Sequence, residues 1–225
     1  MNKNKSTVST KKRSVALMHK IFSYGMVKRG IDFSISAVAL VVLSPLFLVV
    51  AGIIKLDSPG PVFFRQKRTG KDGVEFEILK FRSMVADNDI NDKSCADKCT
   101  RVGKFIRRTS IDELPQFINV FLGQMAFIGP RPWVPEYFAN MNERERGRVK
   151  VRPGITGLAA AKGRNGISIF EKINYDLEYV ENYSLKMDVK VVFLSAKTVL
   201  SGKGVDAGKS GIHDDILELK TENCA

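Results

Sequence analysis

Residues 33–54 read FSISAVALVVLSPLFLVVAGII, 22 positions without a charged side chain. A straight helix of that length would be about 33 Å long, enough to cross a bilayer. The stretch is too long and too far from the N-terminus for an ordinary signal peptide, and no small-residue cleavage site stands out. A buried helix of a soluble core is the competing reading, but such helices rarely stay charge-free for so long. Ser44-Pro45 sits at the middle, where proline removes a helix hydrogen bond and favours a kink. Lys28 and Arg29 precede the stretch, and Lys55, Arg65, Lys67 and Arg68 follow it. Basic flanks stay in the cytoplasm, so both ends are expected on that side. A helix that enters the membrane, breaks at Ser44-Pro45 and returns satisfies this, with a kinked spanning helix as the alternative. The Ser44 hydroxyl is available to cover backbone groups freed by the break.

Working outward, residues 1–30 carry eight basic side chains and no acidic one. The remainder holds 28 basic against 24 acidic, so the net charge of +12 is largely N-terminal. A basic arm suits nucleic acid or anionic lipid; the apolar segment behind it favours lipid. Val15, Met18 and Phe22 recur at helical spacing, as do Leu17 and Ile21. With Lys12, Arg13, Lys20 and Lys28 they read as a basic amphipathic helix on a lipid surface, or as a helix packed on its own domain. Residues 1–11 are polar and expected to be disordered. A chain of 225 residues with 44% hydrophobic and 27% charged side chains reads as one globular domain with a short appendage. Cys95, Cys99 and Cys224 make no disulfide framework and suit a reducing compartment. With only His19 and His213 at the periphery, a zinc site lacks ligands and a histidine-based triad is disfavoured.

Downstream, Pro61–Arg65 and Val74–Ile78 read as short strands about a Gly70-Lys71-Asp72-Gly73 turn. Residues 86–100 are expected to form a loop. Leu114, Phe117, Ile118 and Phe121 predict a helix with one buried stripe. Residues 126–135 and 151–166 are expected to be ordered turns, Ile169–Val180 a helix, and Val189–Leu200 an apolar helix. The tail after Ser201 reads as loop. The fold class is α+β, mainly helical.

Ser110-Ile111-Asp112-Glu113 precedes the predicted 114–121 helix. Ser-x-x-Glu is a capping box, although Pro115 fits poorly with Ser110 as the cap and better with Asp112. The other reading is a paired-carboxylate site: an ionised carboxylate attacks phosphorus without a general base, and Mg²⁺ binds one or two carboxylates together with substrate phosphates. Gly129-Pro130-Arg131-Pro132 sets an arginine between two rigid residues, which lowers the entropy lost in holding a phosphate or a uracil edge. Arg152-Pro153-Gly154, Gly163-Arg164-Asn165-Gly166 and Lys80-Phe81-Arg82 read either this way or as turns and strand ends with solvated charge.

Together these stretches resemble the bacterial sugar transferase family, the small monotopic phosphoglycosyl transferases. The resemblance lies in KRGIDFSISAVALVVLSPLFLVV, SPGPVFFRQKRTGKDGVEFEILKFRSM, RVGKFIRRTSIDELPQFINVFLGQMAFIGPRPWVPEY, VRPGITG, KGRN and YDLEYVENYSLKMDVKVV, covering about residues 25–200. It implies transfer of a sugar 1-phosphate from a UDP-sugar to polyprenyl (undecaprenyl) phosphate with release of UMP, starting a lipid-linked glycan. It also implies a re-entrant helix broken at Ser44-Pro45 and monotopic attachment to membrane lipid at the bacterial inner membrane, with the catalytic domain facing the cytoplasm. By resemblance Asp112 is the nucleophile, Glu113 helps hold Mg²⁺, and Lys80, Arg164 and Asp188 are further active-site positions. Pro130, Arg131 and Pro132 form the nucleotide-linked loop.

The chain departs from many relatives at Gly157-Leu158-Ala159-Ala160-Ala161-Lys162, where they carry Gly-Trp-Ala-Gln-Val-Asn; that difference bears on sugar specificity rather than on Asp112. Its short basic lead, where larger relatives have extra membrane helices, makes it look like the minimal catalytic form. The expected organisation is a disordered basic tail over 1–11, an interfacial and re-entrant helix over 12–56, a catalytic domain over 57–200 and a C-terminal tail over 201–225. An inactive, membrane-anchored nucleotide-sugar-binding protein is the alternative function. Nucleic acid is not an expected partner. The sugar and the oligomeric state, including a homodimer, are left open.

Overall fold

The computed structural model describes residues 3–85, 99–163, 166–200 and 212–223. It is mostly helical, with two small sheets. The first helix, α1, runs from Lys3 to Asp57, so most of the tail expected to be disordered has helical backbone. The helix assignment runs on through Pro45, so Ser44-Pro45 marks a lost backbone bond within α1 rather than a gap between two helices. The physical reason is local. Pro45 removes the amide that would serve the Val41 carbonyl, and the Ser44 hydroxyl donates to that carbonyl at 2.8 Å.

The helix α1 is long and apolar enough to cross a membrane, and little of its apolar window is buried in the protein. The helices α6 (Ile169–Glu181) and α7 (Leu185–Leu200) receive its N-terminal part. There Ile21, with Leu17 and Tyr24 beside it, packs against Tyr179, Val180, Tyr183, Met187 and Val191. Val15, Met18 and Phe22 face outward, so one helix carries both faces anticipated for it. Beyond the proline, Phe47, Val50 and Ile54 pack on Phe81 and Ile106. Between these contacts Val38, Val41, Val42, Leu48 and Val49 are exposed.

The strands β1 (Phe63–Thr69) and β2 (Glu75–Phe81) form an antiparallel hairpin that pairs Phe64 with Lys80. A 3-10 turn over Lys71–Gly73 joins them, with Asp72 and Gly73 at φ 56° and 82°. Next come α2 (Arg101–Arg108), capped by the Thr100 hydroxyl, and α3 (Gln116–Phe121). The strands β3 (Ala126–Ile128) and β4 (Gly154–Thr156) pair in parallel. Their approach leaves no room for side chains: a Cβ on Gly154 would lie 2.1 Å from the Gly129 nitrogen, and one on Gly157 2.2 Å from the Gly129 carbonyl oxygen. The short helices α4 (Pro135–Ala139) and α5 (Leu158–Gly163) lie on either side of β4 in sequence. The helix α5 occupies a region expected to be turn.

The tail after Ser201 is also corrected. The helix α8 spans Ile212–Asn223, with Leu219 buried beside Ile216 in a cluster containing Trp133, Tyr137 and Ile173. The stripe expected in α3 differs as well. Its most buried residues are Gln116, Asn119 and Val120, because Asn119 is used for hydrogen bonds to β2 and Phe121 stacks on Phe33 of α1.

Candidate active site

Three segments distant in sequence meet at one carboxylate. Lys80, near the end of β2, donates to Glu113 Oε1 at 2.5 Å. Arg131, from the Pro-Arg-Pro loop, approaches the same oxygen at 3.5 Å. Asp112 is the neighbour of Glu113 in a 3-10 turn over Ile111–Glu113, and is buried. Neither candidate cap operates here: the Ser110 hydroxyl makes no capping bond, and α3 begins behind Pro115 with no side-chain cap. Ser110 instead takes a left-handed conformation at φ 58°. For a non-glycine residue such a backbone stores about 1–3 kcal/mol, and strain of this kind concentrates at working sites.

The two carboxyls are driven apart. Burial pushes Asp112 above the usual carboxylate value and Glu113 adds to that, against the pull of Lys80 and Arg107. Burial also pushes Glu113 upward, but Lys80 and Arg131 outweigh it and hold Glu113 below its ordinary value. One acid is thus firmly ionised and clamped, while the other is desolvated and has no salt-bridge partner among the described residues.

The clamp has support that the sequence did not signal. Asn119 accepts from the Leu79 amide at 3.0 Å and donates to the Glu77 carbonyl at 2.7 Å, fastening α3 to the strand that carries Lys80. In the Pro-Arg-Pro loop four successive carbonyls each accept a bond. Gly154 N–H serves Pro130 at 2.9 Å and Thr69 N–H serves Trp133 at 2.8 Å. The Arg148 guanidinium serves Arg131 at 2.7 Å, and the Arg68 guanidinium serves Pro132 at 3.3 Å. Burial, with Arg131 close by, lowers Arg68 to about 10.

Other anticipated positions fall elsewhere. Lys80-Phe81-Arg82 is not a solvated strand end: Lys80 joins the cluster, and Arg82 closes the C-terminus of α1 through the Ile54, Ser58 and Pro59 carbonyls. Asp188 is buried on α7, accepting from Lys28 at 2.6 Å, Tyr24 at 2.7 Å and Tyr179 at 2.6 Å. Among the described residues no hydrogen bond or ion pair joins it to the Asp112–Glu113 cluster, and its visible work is to tie α7 to α1. Arg29 donates to the Val120 and Phe121 carbonyls at the end of α3, and Asp32 accepts from Phe127. Arg152 donates to the Gly123 carbonyl. Arg164 lies outside the described residues.

A magnesium ion fits this donor set in one respect. Both cations meet Oε1 of Glu113, and among the described residues no hydrogen bond or ion pair engages Oε2. No group of three or more metal-ligating side chains exists among the described residues, so substrate oxygens would have to complete the coordination, as is common for Mg²⁺.

An apolar helix long enough to cross a membrane, on a small body that holds paired carboxylates beside a lysine and an arginine, sets a candidate membrane anchor next to a site whose charges suit phosphates. The bacterial sugar transferase model matches residues 23–202, and the chain belongs to that family. A UDP-N-acetylgalactosamine-undecaprenyl-phosphate N-acetylgalactosaminephosphotransferase of Aeromonas hydrophila is 42% identical over 192 residues, covering 80% of this chain and 45% of that protein. A UDP-glucose:undecaprenyl-phosphate glucose-1-phosphate transferase of Escherichia coli (strain K12) is 42% identical over 182 residues, covering 76% and 39%. The chain thus spans less than half the length of these two relatives. It spans 90% of an uncharacterized sugar transferase, EpsL, of Bacillus subtilis (strain 168), 37% identical over 182 residues and covering 80% of this chain.

Proposed function

We propose that the protein is a phosphoglycosyl transferase that moves a sugar 1-phosphate from a UDP-sugar to polyprenyl phosphate, starting lipid-linked glycan synthesis at the cytoplasmic face of the bacterial inner membrane. The observation that carries this is the convergence of Lys80 and Arg131 on Glu113 beside buried Asp112.

In this reading an Asp112 carboxylate oxygen attacks the sugar-bearing phosphorus. The P–O bond to the uridine phosphate breaks, and UMP leaves with that electron pair. The sugar phosphate stays as an acyl phosphate on Asp112 until a polyprenyl phosphate oxygen displaces the carboxylate. Being already ionised, the nucleophile needs no base. Its burial raises its energy in the ground state, as suits a group that gives up its charge on attack. Arg131 faces the diphosphate, where a guanidinium stabilises charge as the bond cleaves. Lys80 keeps Glu113 ionised and oriented. Glu113 would hold Mg²⁺, which when bound supplies further charge neutralisation on the diphosphate oxygens.

The site reaches its two substrates through α1. Packing supports a re-entrant course: residues on both sides of Ser44-Pro45 rest on one body, Leu17 and Ile21 on α6 and α7 and Val50 and Ile54 on Phe81 and Ile106. Such a course holds the site at headgroup level, where the acceptor phosphate meets a donor from the cytosol. The test is a UDP-sugar panel with undecaprenyl phosphate, read as UMP release, beginning with UDP-glucose and UDP-N-acetylgalactosamine. UMP release that requires the lipid acceptor under multiple turnover is expected. Binding of UDP-sugars without any turnover would favour the inactive binding protein.

A further inference from the structure

Arg148 lies in the 3-10 turn over Glu145–Lys150, away from the carboxylate pair in sequence, and only 2% of it is exposed. Its Nε and Nη2 both donate to Asp176 Oδ2 on α6, at 3.0 and 2.6 Å. Its guanidinium lies 3.8 Å from the Trp133 ring centroid. Its one bond toward the site is to the Arg131 carbonyl, at 2.7 Å. A buried ion pair of this kind roughly breaks even in stability against a well-packed apolar pair, because desolvation opposes the attraction. Its distinctive product is geometry: a planar fork held on one side by Asp176 and stacked on Trp133 has a fixed direction in which to grip a backbone. That grip falls on the residue whose side chain reaches Glu113, flanked by two prolines that cannot donate hydrogen bonds of their own.

We infer that Arg148, oriented by Asp176, is a positioning residue that sets where the Arg131 guanidinium stands and so governs affinity for the nucleotide diphosphate. This rests on the reading of Arg131 as a diphosphate-facing group. Arg148 does not touch the substrate; it acts through the Arg131 backbone.

The experiment uses UDP binding by calorimetry and thermal unfolding on the full chain. Arg148→Lys keeps a charge for Asp176 but loses the fork and the stacking. UDP affinity is expected to fall about tenfold, the size of one charge-assisted hydrogen bond. In an Arg131→Ala background the same change should produce no further loss. Arg148→Met with Asp176→Leu removes both charges and fills the space. It should restore Tm to the wild-type value or higher while UDP affinity stays weak. Recovery of affinity together with Tm would mean that the pair is merely structural and would overturn the inference. Additive losses in the Arg131→Ala background would overturn it too. If Arg131→Ala itself leaves UDP binding unchanged, the reading of Arg131 fails and the inference fails with it. If Arg131→Ala weakens UDP binding but Arg148→Lys does not, the inference fails alone.

Discussion

The Ser44 hydroxyl donates to the Val41 carbonyl at 2.8 Å, the carbonyl that an amide at position 45 would serve in an unmodified helix. The serine therefore covers the acceptor that the proline leaves bare, which matters most where no water is at hand. In wild type, cysteine labels near Lys28 and near Lys67 should react from the same side of the membrane. Pro45→Leu restores the missing donor and should let the segment straighten and span, so that the two labels react from opposite sides. Ser44→Ala should cost about 1 kcal/mol. Opposite-side labelling of wild type would end the re-entrant reading.

Asp112→Asn should separate catalysis from stability. Asparagine keeps the size, and no cap is lost because none is formed there. Turnover should fall by orders of magnitude; wild type given UDP-sugar alone should gain an aspartyl adduct by mass spectrometry, and the variant should not. Burial raises the folded-state pKa of Asp112, so its ionised form weakens the fold at neutral pH. The variant should match or exceed wild type in Tm at pH 7, with the gap closing as pH falls through the raised value to the ordinary one. Near-normal turnover would remove Asp112 as the nucleophile.

The pH dependence of the first turnover tests Lys80. If Asp112 is the nucleophile, only its ionised form attacks, so UMP release should rise with pH through a limb lying above the ordinary carboxylate value. Lys80→Met removes a cation that opposes the upward shift and should move that limb to higher pH. A limb that stays put or moves down would mean that Lys80 does not act on Asp112. Glu113 runs the other way. Its pKa is lowered in the fold, so its contribution to stability is present above the ordinary value and is lost as pH falls through the lowered one.

Removing divalent cations with chelator should abolish turnover, and Mg²⁺ should restore it. Glu113→Gln should raise the Mg²⁺ concentration needed. Full activity after exhaustive chelation would discard the metal.

Asp188 allows a clear choice between two roles. Its salt bridge with Lys28 is 2.6 Å long, and the two side chains are 7% and 6% exposed. Asp188→Asn takes from the buried ammonium its hydrogen-bonded carboxylate and leaves only the charge of nearby Asp32; breaking a buried pair typically costs about 3–5 kcal/mol. A sharp fall in Tm is expected, largely reversed by adding Lys28→Met. If Asp188→Asn keeps the wild-type Tm and loses turnover, the carboxylate serves the reaction directly, as the resemblance implied.

What the sequence disclosed followed from which signals are local. The hairpin was visible because its turn residues lie between two apolar runs, and Phe33–Ile54 because nothing interrupts it. The bond lost at Pro45 was legible, whereas the compensating bond from the adjacent serine, which keeps the backbone helical, depends on a rotamer that the sequence does not specify. A capping box was suspected at Ser110–Glu113, where Glu113 is drawn to Lys80 instead. A capping box does form at the start of α6, where Ser168 and Glu171 bond each other's backbone amides. Ile212, Ile216 and Leu219 carry helical spacing, yet a short polar tail masked it. Lys80, Glu113 and Arg131 were nominated separately; their meeting at one oxygen is tertiary. Arg148 and Asp176 had no signal at all, being two ordinary charged residues whose burial only the fold supplies.

The fastening of α1 has a mechanical consequence. Lys28, Arg29 and Asp32 hold it on one side of its exposed apolar stretch, and Arg82 holds it on the other. A segment pinned at both feet to one body cannot slide along its axis or choose its own tilt. It behaves as a keel of fixed draught, with a depth set by the number of residues between the pins. In the re-entrant reading, a lipid layer that receives this segment must thin, thicken or curve to match it, and the height of Asp112 above the acyl chains would stay constant from one lipid composition to another.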